Sequence, residues 1–238
     1  SKAEIDALLY PMAVNINASV GKEATVFTMT AHKDNLDKAY EVLSGLILAP
    51  RFDQADFARE KKSAERAVSE DIPENNDEVL SKRALDKLMF AGHPYEHLVQ
   101  GSVSGLANIT LDDLEAHHTA YFCTSRLMIG LAGGFSPEFQ ARVVADMAKL
   151  PKGDDTLVSL PPVPMPNGVA LMTVVKQRAF GTAVFMGYPL AVDRSSDEFA
   201  ALMVAKSYFG EHRKSYGVLY SKMRSARSLN YGDYAYIE

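Results

Sequence analysis

The sequence has almost no cysteine, no tryptophan, no long apolar run and no block of basic residues. The single cysteine, Cys123, excludes an internal disulfide and a zinc centre built from several thiolates. No apolar run approaches the ~18 residues that a membrane-spanning helix needs, and no signal peptide is visible at the first residues. With 25 basic against 30 acidic residues, the composition does not favour nucleic acid. We therefore expect neither a membrane nor a nucleic acid among its partners.

Apolar residues are plentiful, and they suffice for a globular core. They make up 47% of the 238 residues, against 23% that are charged. At roughly 150 residues per domain, this length fits one large domain or two smaller ones. Residues 151–168, PKGDDTLVSLPPVPMPNG, contain five prolines and sustain neither a helix nor a central strand. We predict a first domain at 1–150, a linker at 151–168 and a second domain at 169–238.

Hydrophobic periodicity and turn residues predict the elements of the first domain. Thr110 to Asp113 reads as a capping box, and Ser136-Pro137 as a helix start. The predicted helices are 2–10, 35–48, 54–72 (stopping before Pro73), 77–90, 110–121 and 136–150. The predicted strands are 14–20 and 24–31, joined by a turn at Gly21-Lys22, and a buried strand at 126–134.

The second domain is predicted to contain strands at 169–176 and 180–188, helices at 197–209 and 216–227, and a strand at 231–237. Together the two domains predict an α+β fold of two similar units, each an antiparallel or mixed sheet with helices packed on one face. We expect the first unit to lack its opening elements and the second its closing ones. The last strand, with Tyr234 and Tyr236, then presents an open edge, which favours a dimer of this chain.

Two pairs of histidines invite a metal-site interpretation, and neither has suitable geometry. His117 and His118 are adjacent in a helix and point about 100° apart, so they cannot chelate one ion. His93 and His97 have helical spacing, but Pro94 lies between them. We predict a solvated helix face for the first pair and a turn with partly buried rings for the second.

Three further motifs are weak. Ala132 to Gly134 lacks the spacing and the lysine of a phosphate-binding loop. Cys123 at a helix end reads as a small buried apolar residue. Tyr208 to His212, YFGEH, has the form of the zinc motif H-x-x-E-H with a tyrosine in place of the first histidine. A helical zinc site needs two imidazoles one turn apart, so we expect no zinc there.

The order of the segments resembles the insulinase/pitrilysin family of zinc metallopeptidases, which includes mitochondrial processing peptidase. The segments that carry the resemblance span nearly the whole chain. They are SKAEIDALLYPMAVNINASVGKEATVFTM, PRFDQADFAREKK, GHPYEHLVQGSVSGLANITLDDLEAHHTAYF, RLMIGLAGGFSPE and GVLYSKMRSARSLNYGDYAYIE.

The resemblance implies that this chain has lost the family's zinc site. The family's H-x-x-E-H lies upstream of the region that matches Ser1, and the third zinc ligand is a later glutamate, seven residues after a supporting glutamate. On this chain Glu60 matches the supporting position and Ala67 the ligand position, and a methyl group cannot bind zinc. Glu65 and Glu70 point about 200° and about 60° away from Ala67 on an α-helix, which favours a solvated face. Zinc is therefore expected only in a partner half.

The resemblance also implies that two catalytic residues survive. In the family, the half without zinc supplies an arginine and a tyrosine, seven residues apart, to the zinc site of the other half. Arg224 and Tyr231 have that spacing. The residues alone favour a different interpretation, a solvent-facing arginine at a helix end and a strand tyrosine packed on the core.

We therefore predict a zinc-free half of an insulinase-type peptidase, inactive alone. Its expected partners are a zinc-bearing half, in the same polypeptide or a separate subunit, and an extended peptide substrate. The alternative is a non-catalytic structural or binding protein of this fold, like the core subunits of respiratory complexes. The compartment stays open between cytoplasm and periplasm.

Overall fold

The computed structural model describes residues 2–154, 156, 159–177, 179, 181–211, 214–230 and 232–237. Its contacts divide the chain into two compact units, Ser1–Gly187 and Tyr188–Glu238. Helices dominate the described residues, and the sheet assigned among them has two antiparallel strands. The fold class is therefore α+β, as predicted. The domain limits drawn around residues 151–168 stay a prediction.

The α-helices of the first unit follow the predicted order closely. They are α1 (Lys2–Leu9), α2 (Leu36–Leu48), α3 (Gln54–Arg66), α4 (Ile72–Asn75), α5 (Asp77–Met89), α6 (Val103–Asn108), α7 (Leu111–Tyr121) and α8 (Pro137–Met147). A π-helical turn, Ala67–Asp71, joins α3 to α4. Across the described residues, no helix is both long and apolar enough to cross a bilayer.

Side-chain caps explain where several helices begin. Asp53 accepts hydrogen bonds from the backbone N–H groups of Ala55 and Asp56 at 3.0 and 2.9 Å, which satisfies two donors of the first turn of α3. The capping box that opens α7 is present, because Thr110 and Asp113 each bond the other's backbone N–H. Because these caps involve only neighbouring residues, the sequence predicts the starts of α3 and α7, and the structure confirms both.

The two strands form a hairpin, β1 (Asn15–Val20) and β2 (Thr25–Thr30). Its register places Asn15 opposite Thr30 and Val20 opposite Thr25. The hairpin turn closes with a hydrogen bond of 2.8 Å from the Gly21 N–H to the Ala24 carbonyl. The half-buried strand residues are Ile16, Phe27 and Met29, whereas the rest of both strands is exposed.

The core of the first unit lies where α2 and α8 pack together. Its buried members are Tyr40, Phe139, Val143, Met147 and Leu150, with half-buried Met29, Leu36, Ile47, Leu48, Phe122 and Phe135 around them. The rings of Tyr40 and Phe139 meet edge to face at 5.4 Å, and the Arg142 guanidinium lies 5.2 Å from the centre of the Tyr40 ring.

The buried Tyr40 predicts how stability responds to high pH. Burial first, and the Asp146 carboxylate second, raise the pKa of Tyr40 to about 12, against 10.0 ordinarily. The neutral phenol is therefore favoured by folding, so its contribution is complete below pH 10 and is lost as the pH rises towards 12. We expect the free energy of unfolding to fall over this range in urea titrations. Tyr40→Phe should flatten this pH dependence; an unchanged slope in that variant would contradict the assignment.

Two predictions about the first unit are wrong in detail. The helix that starts at α3 does not stop before Pro73, because the π-helical turn Ala67–Asp71 carries it on into α4. A proline lacks the N–H and crowds the preceding turn of an α-helix, and a wider turn just before it relieves that conflict. Residues 126–134 form no β-strand but run from a 3₁₀ turn, Thr124–Arg126, through irregular backbone.

The predicted strand pair at 169–176 and 180–188 is also absent from the described residues of these segments. A strand requires a neighbour that shares its backbone hydrogen bonds; the contacts found here are side-chain contacts with α4 and α5. Lys176 donates to the Asp77 carboxylate at 2.5 Å and to the Glu74 carbonyl at 2.8 Å. Near the other end, Ser81 donates to the Ala183 carbonyl at 3.4 Å.

The second unit begins its regular structure with α9 (Glu198–Gly210), which confirms the helix predicted at 197–209. The helix predicted at 216–227 is present mainly as a π-helical turn, Tyr220–Ser225. Residues 232–237 form no strand, and Tyr231 lies outside the described residues. One backbone bond of 2.6 Å, from the Ala235 N–H to the Gly210 carbonyl, holds this segment to the end of α9.

Candidate functional site

The surface of α3 carries the first of the predicted lost-site residues. Glu60 is exposed, and its carboxylate pairs with the Arg59 guanidinium at 3.0 Å. Arg59 also bonds Asp56 at 2.6 Å, and the arginines at 59 and 51 hold the pKa of Asp56 below its usual value. Glu60 thus belongs to a solvated network of charges.

Ala67 is the first residue of the π-helical turn, and it is half-buried. Its methyl group offers no metal ligand. The expected 60° between Ala67 and Glu70 assumed α-helical spacing, which a π-helical turn does not have. Glu70 instead lies 3.6 Å from the Arg66 Nε, and Asp71 lies at the same distance from it. The Glu65 carbonyl accepts a hydrogen bond of 2.8 Å from the Ser69 hydroxyl.

Glu60, Glu70 and Asp71 therefore pair with arginines along the helix surface. In the part of the chain that the structure describes, no three histidine, cysteine, aspartate or glutamate side chains come together in a group that could hold a metal ion. The residues present do not fit a zinc ion.

His93 is buried, and both of its ring nitrogens have backbone partners. The Tyr95 N–H donates to Nδ1 at 3.1 Å, so Nε2 carries the hydrogen that is donated to the Pro161 carbonyl at 3.0 Å. His97 is exposed and lies just past the 3₁₀ turn Pro94–Glu96. The predicted turn with partly buried rings is confirmed for His93.

The other candidate motifs also have structural roles. His117 is exposed beside the Tyr121 ring, but His118 is half-buried, stacks on Phe122 at 4.4 Å and bonds the Ile47 carbonyl at 2.9 Å. The solvated-face prediction is therefore wrong for His118. Cys123 is buried, at 2% exposure, and its thiol is free, as predicted.

Sequence reasoning missed a polar cluster at the hairpin tip. Lys22 donates to the buried Asp86 carboxylate at 3.0 Å and to the Tyr95 carbonyl at 2.7 Å. Its ammonium lies 5.0 Å from the centre of the Phe90 ring. Glu23 accepts a hydrogen bond from the Tyr95 hydroxyl, which raises the pKa of that phenol. The available signal was an aspartate one helical turn before Met89 and Phe90.

The predicted catalytic pair is described only in part. Arg224 lies in the π-helical turn Tyr220–Ser225, half-buried, with its guanidinium 5.1 Å from the centre of the Tyr220 ring. Such stacking restricts a guanidinium to a limited set of directions. Tyr231 lies outside the described residues, as does His212 of the YFGEH motif, and Tyr208 is exposed on α9. Gly133 and Gly134 of the Ala132 motif have open space where a side chain would lie.

The helical α+β framework has counterparts among known proteins. Residues 1–100 match the family model described as insulinase (peptidase family M16). The mitochondrial-processing peptidase subunit beta of Caenorhabditis elegans is 22% identical over 87% of this chain and 44% of its own length. The human subunit of the same name is 23% identical over 91% of this chain and 44% of its own.

The same class of protein appears among solved structures. The peptidase M16 inactive domain from Pseudomonas fluorescens covers 98% of this chain, and this chain covers 55% of it, with a TM-score of 0.77 and 19% identity. The chain resembles the insulinase family of peptidases, whose family model matches its residues 1–100. It spans about half the length of these relatives.

Proposed function

We propose that this chain is the zinc-free, substrate-contacting half of an insulinase-type metallopeptidase. In this proposal it lends Arg224 and Tyr231 to a zinc site in the other half, which is either a second subunit or another part of one polypeptide. The proposal includes two similar domains, at 1–150 and 169–238 around a proline-rich linker, and an extended peptide as the substrate.

The observation that carries the proposal is the helix around Ala67. Glu60 pairs with Arg59 at 3.0 Å, and a methyl group stands at the position that the resemblance assigns to the ligand. A catalytic zinc requires three protein ligands. The relative from Pseudomonas fluorescens, described as an inactive domain, supports the same interpretation, since its fold matches nearly the whole chain.

The proposed roles follow from the chemistry of the two side chains. When water adds to a peptide carbonyl, negative charge develops on the carbonyl oxygen. A phenol hydroxyl and a guanidinium placed near that oxygen donate hydrogen bonds that strengthen as the charge grows. The Tyr220 ring beside Arg224 helps to orient this donor before the substrate arrives.

This assignment predicts that the chain holds no stoichiometric zinc. After dialysis against metal-free buffer, elemental analysis should find far less than one zinc per chain, because Ala67 cannot supply a ligand. Ala67→Glu tests whether the ligand alone is missing, and we expect it to remain zinc-poor without the upstream histidines. One tightly held zinc per unmodified chain would contradict the proposal.

Activity should appear only on assembly. We expect the purified chain to cleave no peptide, and turnover to arise when it is combined with the polypeptide from the same genome that carries H-x-x-E-H. Chelator-sensitive cleavage by the chain alone would contradict the proposal. Stable assembly without any turnover would favour the alternative, a structural subunit of the same fold.

A further inference from the structure

The second unit contains an exposed apolar groove along one face of α9. Met203, Val204, Ser207 and Tyr208 recur at helical spacing and form its floor, and the Tyr216 ring forms a wall, around a volume of about 410 Å³. Val204, Tyr208 and Tyr216 are 71%, 66% and 60% exposed. A groove of this size holds one or two side chains, and exposed apolar surface of this kind marks sites of interaction.

One end of the groove carries charge. Ser207 donates to the Glu211 carboxylate at 2.5 Å. This bond, and then the charges of Lys206 and Lys214, hold the pKa of Glu211 below its usual value. Since two cations flank this single carboxylate, the end of the groove carries a net positive charge.

The chain that leaves the groove adds further cations. Between residues 212 and 232 there is no aspartate or glutamate, and the basic residues are Arg213, Lys214, Lys222, Arg224 and Arg227. Lys222 is exposed and lies in the π-helical turn Tyr220–Ser225, which follows Tyr216 in the chain.

We propose that this groove binds an apolar side chain of an extended peptide whose neighbouring residues are acidic. The groove supplies the apolar contact, and the basic segment from Lys214 to Arg227 supplies charge complementary to the flanking carboxylates. The inference rests on the proposed function, which makes the ligand a peptide. It adds which peptides this half prefers, namely those with an apolar residue between acidic ones.

Binding of matched peptides to the full chain tests the inference. Three short fluorescein-labelled peptides share one length: leucine flanked by glutamates, alanine flanked by glutamates, and leucine flanked by lysines. By anisotropy we expect the first to bind about tenfold more tightly than the second, the size of effect that one buried apolar side chain gives. The third should bind more weakly still, and added salt should weaken the first.

Variants of the chain assign the effect to the groove. Val204→Glu should weaken binding of the glutamate-flanked leucine peptide at least about tenfold, and Tyr208→Ala is a second change that adds no charge. Val144→Glu is the matched control, since Val144 is also exposed, at 58%, on a helix of the first unit. Lys222→Glu with Arg227→Glu should remove the preference for acidic flanks, whereas Lys62→Glu with Lys152→Glu should retain it.

The outcomes separate the two proposals. Peptides that bind with no regard to flanking charge or to Val204→Glu overturn the groove while leaving the proposed peptidase role intact. A chain that binds none of the three peptides contradicts both.

Discussion

Turnover of the assembled peptidase should fall about 10²–10³-fold in Tyr231→Phe. The substitution keeps the ring and removes only the hydroxyl, so the loss reports one hydrogen-bond donor to the developing oxyanion. The fall should appear in kcat more than in KM, because the interaction forms mainly in the transition state. Steady-state kinetics on an unlabelled peptide, with the partner half present, measures both constants.

Arg224→Lys should also impair turnover, since lysine keeps the charge but loses the planar fork. Tyr220→Leu is the companion change, because it removes the ring beside the Arg224 guanidinium without touching either proposed donor. Tyr234→Phe controls for the loss of a nearby phenol hydroxyl. If Tyr231→Phe retains normal turnover while its melting temperature falls, Tyr231 is a packing residue and the catalytic assignment is wrong.

Phe139→Ala should lower the free energy of unfolding by about 3–5 kcal/mol, the usual cost of removing a buried aromatic ring. Phe139 lies in the centre of the core between α2 and α8 and contacts the edge of Tyr40. Urea unfolding followed by circular dichroism measures the change. Because the chain has two compact units, urea can unfold them in separate transitions. The free energy of unfolding is then taken from the transition that Phe139→Ala shifts.

Val144→Ala is the control for this prediction. It changes an apolar residue to alanine in the same helix, but at an exposed position, so the shift should stay within about 0.5 kcal/mol. Equal effects of the two substitutions would contradict the placement of the core.

The helices could be predicted from sequence because their signals are local. Asp53, Thr110 and Ser136 each bond a backbone N–H two or three residues later, and such contacts need no distant partner. The segments at 126–134 and 169–176 show the opposite case. Their apolar runs satisfy the pattern of a strand, but a strand depends on a neighbour elsewhere in the chain.

Features of the candidate site also differ in how far the sequence could predict them. Ala67 cannot bind a metal ion because its side chain is a methyl group, and the sequence alone shows this. The π-helical turn that begins at Ala67 could not be predicted, since it depends on how the helix passes Pro73. The groove on α9 also escaped prediction, because Tyr216 closes it from beyond the helix end.

The polar contacts at the two ends of the hairpin have a consequence for strand pairing. A hairpin with little apolar surface buried can slip by one residue at small cost, and most of β1 and β2 is exposed. Lys22 ties the tip to Asp86 and Tyr95, while Asn35 ties the segment after β2 to the Met12 carbonyl, ahead of β1, at 3.0 Å. A slipped alignment must break one of these ties, so two polar side chains outside the strands reinforce the pairing that half-buried Ile16, Phe27 and Met29 favour.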